Sequence, residues 1–108
     1  LLALKNAKFP EYDEVNGVDY DKKTDKGLPL SDEEPLPITV VKIGDNIIID
    51  PLGNEEKAMD ARVTMTTTKD GNFCSMQKGG MMTLSTEDLK NMAELTLEKV
   101  KELRKHVG

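Results

Sequence analysis

Apolar and polar positions change their pattern several times along this chain, and each change predicts an element. Leu1-Leu2-Ala3-Leu4-Lys5-Asn6-Ala7-Lys8 reads as the last turns of a helix whose start lies outside the sequence, so the chain is expected to be a fragment. Between Pro10 and Pro37 apolar residues are sparse and hold neither a helical nor a strand period, which predicts loop or partial disorder, with Leu28-Pro29-Leu30 docking locally. From Ile38 the texture becomes β-branched. Ile38-Thr39-Val40-Val41-Lys42-Ile43 and Ile47-Ile48-Ile49 flank Gly44-Asp45-Asn46, whose residues tolerate positive φ at low cost, and together they predict a hairpin. The unbroken apolar run Ile47 to Ile49 is expected to be covered on both faces. Asp50-Pro51-Leu52-Gly53-Asn54 breaks the strand, and Glu55 to Met59 predicts a turn of helix.

Arg62-Val63-Thr64-Met65-Thr66-Thr67 then alternates with period two, and Asp70-Gly71 turns it into Phe73-Cys74-Ser75-Met76-Gln77, a second hairpin. Val63 and Met65 share one face, and Arg62, Thr64 and Thr66 the other. Lys78-Gly79-Gly80 is expected to be a flexible connector. Ser85 is placed to cap a helix, with Glu87 and Asp88 near its positive end and Lys101, Arg104 and Lys105 near its negative end. Leu89, Met92, Ala93, Thr96, Val100, Leu103 and Val107 step by three and four, so one face of that helix packs. The predicted class is α+β: a four-stranded antiparallel sheet of two hairpins, arranged as a meander and packed by a C-terminal helix. Residues 1–37 are expected to be a helix end and an acidic, poorly ordered linker, and residues 38–108 the domain.

Composition narrows the function. The chain has 108 residues, 37% of them hydrophobic, which fits one domain with a lean core. No stretch approaches the length of a membrane span, and the N-terminal apolar run is too short for a secretory signal. A soluble protein without membrane contact is expected. The one cysteine, Cys74, excludes an internal disulfide framework and any cysteine-built zinc site, and suits a reducing compartment such as the cytoplasm. A net charge of −5 and 4% aromatic residues, with no Trp, argue against an autonomous nucleic-acid-binding surface.

The run Val40-Val41-Lys42-Ile43-Gly44-Asp45-Asn46-Ile47-Ile48-Ile49-Asp50-Pro51, then Met59-Asp60-Ala61-Arg62-Val63-Thr64, then Asp70-Gly71-Asn72-Phe73-Cys74-Ser75-Met76-Gln77-Lys78-Gly79, resembles the C-terminal half of an RNase PH-type subunit. The resemblance is closest to the non-catalytic RNase PH-like subunit of the archaeal exosome. Leu4-Lys5-Asn6-Ala7-Lys8-Phe9-Pro10 likewise resembles the segment leaving the family's interdomain helix. This resemblance implies a place in a six-membered ring of alternating subunits, whose catalytic partner degrades RNA from the 3′ end with inorganic phosphate, with Mg²⁺ as a possible aid. It implies RNA-binding cap subunits as further partners, RNA contact through the assembled ring, and no cofactor or metal in this chain. Active relatives carry an acidic pair here. Asp60 matches the second acidic position, whereas the first falls near Asn54, which supplies no charge, with Glu55 and Glu56 adjacent. Asp60 is thus the one catalytic candidate, and the resemblance implies that it is not used.

Local chemistry offers plainer roles. Asp60 is expected to accept backbone hydrogen bonds or to pair with Arg62, and Arg62 to be a solvated or interface charge. The group Asp50, Glu55, Glu56 and Asp60 is expected to be a solvated loop. Cys74 is expected to be a small buried hydrophobe, and His106 a cation favoured by the helix end. Met76, Met81, Met82 and Met92 are expected to serve packing or interfaces. Two alternatives stay open at this level: the C-terminal half of an active phosphate-dependent exoribonuclease, with Glu55 or Glu56 compensating for Asn54, and an unrelated α+β interaction module.

Overall fold

The structure, a computed structural model, describes residues 1–107. It divides into two compact units, Leu1–Asp32 and Glu33–Gly108. In the first, the short helix α1 (Leu2–Asn6) precedes two antiparallel strands, β1 (Lys8–Asp13) and β2 (Gly17–Gly27). The loop expected after Pro10 is therefore a β-ribbon. Its turn is set by local chemistry: the Asp13 carboxylate accepts the N–H groups of Val15 (2.6 Å) and Asn16 (3.1 Å), and Gly17 takes φ +80°. Those two backbone donors hold the Asp13 carboxyl below the usual carboxylate range. Farther along, the Thr24 hydroxyl donates to the Phe9 carbonyl (2.9 Å). No residue of β1 or β2 is buried, so the ribbon never required the apolar alternation that betrays a strand in sequence.

The second unit begins earlier than the sequence pattern suggests, because Glu33 belongs to it and its first strand opens at buried Leu36. The elements are β3 (Leu36–Ile43), β4 (Asn46–Ile49), α2 (Gly53–Ala58), β5 (Ala61–Thr67), β6 (Phe73–Gly79) and α3 (Thr86–Val107). Both expected hairpins form, β3 with β4 around Gly44 at φ +57°, and β5 with β6. The sheet is antiparallel throughout, but its order is β4-β3-β5-β6, not a meander. β5 pairs with β3, so the chain from β4 crosses β3 by way of α2 before it re-enters the sheet. The connection from Asp50 to Asp60 is long enough for that crossing, where a tight turn would have kept β5 beside β4.

α3 lies over β3 and β5. Beneath it Val40, Val63, Met65 and Met92 form the buried cluster, flanked by Ile38, Ile47, Ile49, Leu84, Leu89 and Leu95. The alternation read from β5 holds: Ala61, Val63, Met65 and Thr67 are buried, and Arg62, Thr64 and Thr66 face the other side. Ile47 to Ile49 are only half-buried, because β4 is an edge strand rather than a covered one. The N-cap of α3 is as expected. Ser85 Oγ accepts the Asp88 N–H (3.0 Å) and Asp88 Oδ2 accepts the Ser85 N–H (2.9 Å), a reciprocal box with Asp in the third helical position.

Along the helical stripe Met92, Thr96 and Val100 are buried, but Leu103 is 37% exposed. Val100→Ala is accordingly expected to cost about 1–3 kcal/mol, and Leu103→Ala about 1 kcal/mol or less, read as shifts in urea midpoint at constant slope. Equal losses would place Leu103 in the core. Arg104, which the stripe passes over, does more than its neighbour: Nη1 donates to the Glu34 carbonyl and Nη2 to the Thr67 carbonyl, both at 2.9 Å. One planar guanidinium thereby ties α3 to the segment before β3 and to the end of β5.

Candidate functional site

Asp60 sits between α2 and β5, where three segments converge. Its N–H donates to the Lys42 carbonyl (2.9 Å), and its carbonyl accepts the Met82 N–H (3.1 Å). Its carboxylate Oδ2 accepts the Gly44 N–H (2.7 Å) at the tip of the first hairpin. The backbone partner expected for Asp60 is thus the Gly44 amide. The alternative partner is not used: Arg62 Nη1 lies 3.8 Å from Glu56 Oε1, an exposed and long contact.

Lys78-Gly79-Gly80, expected as a flexible connector, is instead closely fitted. Arg62 lies across Gly79, its register partner, so a Cβ there would stand 2.5 Å from the Arg62 Nε. Gly80 takes φ +87°, and a Cβ on it would stand 2.8 Å from both the Asp60 carbonyl oxygen and the Ala61 Cα. Glycine is needed at Gly80 because backbone passes against backbone. This close approach is what lets Met82 reach the Asp60 carbonyl and complete the junction.

Beside Asp60, Lys42 emerges from β3, and its ammonium contacts both carboxylate oxygens of Asp88 at 2.8 Å. Hydrogen bonding from Lys42, followed by that from Ser85, lowers the Asp88 carboxyl from 3.8 to about 2, and the Asp88 partner raises the Lys42 pKa. A depressed folded-state carboxylate stabilises above its unfolded pKa and loses that contribution as pH falls. Asp88→Asn is therefore expected to lower the denaturation midpoint at neutral pH, and to bring wild type and variant together as pH falls from about 4 toward 2. A constant gap down to pH 2 in parallel urea titrations would show that the ion pair contributes nothing.

Glu55 Oε2 accepts the Leu52 N–H (2.7 Å) at the start of α2, and Asn54 is exposed on the same helix. No group of three or more His, Cys, Asp or Glu is positioned to hold a metal ion among the described residues. Cys74 is exposed, contrary to the buried hydrophobe expected, because β6 is an edge strand that α3 does not cover; its Sγ donates weakly to the Thr66 carbonyl at 3.5 Å. His106 lines an open groove of about 530 Å³ between α3 and the β3–β4 pair, with Ile38, Ile49, Pro51, Lys99 and Leu103. The Lys42–Asp88 pair was missed in sequence, although a lone lysine inside an apolar strand and an aspartate three residues after a capping serine both signal it.

The chain has close relatives. It is 39% identical over 104 residues to the exosome complex component Rrp42 of Thermoplasma acidophilum, covering 96% of this chain and 37% of that relative. It is 36% identical over 109 residues to the Rrp42 component of Thermococcus onnurineus, covering 99% of this chain and 40% of the relative. The chain spans about two-fifths of the length of the curated relatives it matches. The fold superposes on a chain of the Archaeoglobus fulgidus exosome solved with RNA bound to the active site, with a TM-score of 0.78 and 28% identity over 98% of this chain and 39% of that one. A structure described as an archaeal exosome core gives the same TM-score, 0.78. No helix among the described residues is long and apolar enough to cross a membrane. Residues 34–99, which run from the segment held by Arg104 through most of α3, match the family described as 3′ exoribonuclease family, domain 2, and the chain belongs to that RNase PH C-terminal-domain family.

Proposed function

We propose that this chain is the C-terminal half of a non-catalytic subunit of an archaeal exosome, which builds the ring in which a catalytic RNase PH-like partner degrades RNA from its 3′ end. The observation that carries this reading is the similarity to Rrp42 exosome components over nearly the whole chain. The junction around Asp60 agrees with it. A phosphorolytic centre needs carboxylates free to hold a divalent metal or move protons beside the phosphate. Here one oxygen of the candidate carboxylate, Oδ2, accepts the Gly44 N–H, and its paired position is the neutral, exposed Asn54.

In this reading the chain holds no cofactor, and the catalytic partner uses inorganic phosphate and, where needed, Mg²⁺. RNA reaches the complex through the assembled ring and through RNA-binding cap subunits, because a chain of net charge −5 offers little attraction of its own. The compartment is the cytoplasm.

The test uses the complete subunit mixed with its catalytic partner, with nucleoside diphosphate release measured against added phosphate. Activity is expected only in the mixture. Asp60→Asn in this subunit is expected to keep the rate within about twofold, since the substitution removes no group that touches substrate. A loss of tenfold or more with ring assembly unchanged, or turnover by this subunit alone, would overturn the proposal in favour of an active exoribonuclease half.

A further inference from the structure

The joint between the two units falls where the backbone is least relaxed. The units divide between Asp32 and Glu33, and Glu34 takes φ +45°, one of two non-glycine residues at positive φ among those described. A side chain disfavours that region, and Pro35, which follows, favours an extended residue before it, at φ about −120°. Both preferences are overridden here. Donors from two distant segments bond the carbonyls on either side of the Glu34 α-carbon: the Lys69 N–H donates to the Glu33 carbonyl (2.7 Å), and Arg104 Nη1 to the Glu34 carbonyl (2.9 Å).

We infer that Arg104 is a latch, which holds Glu34 in its left-handed conformation and so ties the joint to the last turn of α3. The orientations of two successive peptide planes define φ and ψ of the residue between them, and here each plane accepts one of these hydrogen bonds. The Lys69 donor is a backbone amide in the β5–β6 connection, fixed with the sheet. The Arg104 donor is the tip of a side chain, whose second nitrogen, Nη2, is braced on the Thr67 carbonyl (2.9 Å) at the end of β5, opposite Leu36. A planar fork braced at one prong fixes the other, which a single ammonium cannot do. When α3 withdraws its last turn, the Glu34 carbonyl loses this donor and the residue relaxes to an extended conformation. The chain then enters β3 from a different direction. All of these contacts lie inside the domain, so they do not depend on what covers its outer faces.

The test compares Glu34→Gly with Glu34→Ala by urea denaturation of the 108-residue chain. Both remove every group beyond Cβ, so their difference reports the backbone. With Arg104 present, Glu34→Gly is expected to be the more stable by at least about threefold in the unfolding equilibrium constant, because alanine meets the left-handed penalty. In an Arg104→Met background that advantage is expected to vanish or reverse, since alanine loses less chain entropy once residue 34 is extended. An arginine that only packed would lower both variants equally. Arg104→Lys keeps the charge and loses the fork, so it is expected to act as Arg104→Met does, and it serves in its place if that variant does not fold. In either background, amide exchange at Lys69 is expected to quicken about tenfold more than in the β3–β5 ladder, because its acceptor is freed with the joint. No glycine advantage with Arg104 present, an equal advantage without it, or a Lys69 amide whose exchange follows the ladder would overturn the inference. None of these outcomes bears on the ring-subunit reading, which depends on the catalytic partner.

Discussion

Met65→Ala is expected to lower the unfolding free energy by about 2–5 kcal/mol, measured by urea denaturation at neutral pH. Met65 is fully buried at the middle of β5, opposite Ile38 on β3 and Met76 on β6, and it packs with Val40, Val63 and Met92. Removing its thioether chain forfeits the burial and leaves a void under α3 that the flanking strands, fixed by their ladders, fill only in part. Small domains have about 5–15 kcal/mol in total, so the variant stands near the limit of folding. Met92→Ala, from the helix side of the same cluster, is expected to cost about as much, and the double variant less than the sum, since both open one cavity. A loss below about 1 kcal/mol for Met65→Ala would mean that α3 settles into the space, and that the layer is less rigid than its packing implies.

Gly80→Ala is expected to cost about 2–4 kcal/mol, from a non-glycine residue held at positive φ together with a methyl group forced against backbone. At φ +87°, the added Cβ meets the Asp60 carbonyl oxygen and the Ala61 Cα at 2.8 Å, and neither atom belongs to a side chain that can swing away. Relief requires the β6–α3 connection to lift from β5. Two hydrogen bonds are exposed to that motion, Met82 N–H to the Asp60 carbonyl and Gly44 N–H to the Asp60 carboxylate. Amide hydrogen exchange is therefore expected to quicken at Met82 and Gly44 ahead of the β3–β5 ladder. Gly79→Ala is the comparison: its Cβ meets the Arg62 side chain, which can move, so a smaller loss of about 1 kcal/mol is expected. Equal losses at the two glycines would remove backbone crowding as the cause.

These substitutions probe contacts of different legibility. The period-two alternation of Val63 and Met65, the three-four spacing of Met92, Thr96 and Val100, and the cap at Ser85 are local properties of the chain, so the sequence determined those elements and the faces they bury. The family resemblance, resting on the order of those pieces, was legible for the same reason. Strand order was not. Whether β5 returns beside β4 or crosses to the far side of β3 depends on where the α2 connection packs, and no period in the sequence carries that information. The ribbon of β1 and β2 escaped notice because its turn and ladder rest on backbone groups and on the Asp13 carboxylate, not on buried side chains. Asp60 shows the division most plainly. Its acidic character and its place before β5 are in the sequence, but the Gly44 amide that engages it lies sixteen residues away, and the Gly80 approach that completes the junction comes from the far end of β6. Only the folded sheet brings those backbone groups to one carboxylate, because hydrogen bonds between distant segments depend on how strands are stacked and not on the residues beside them.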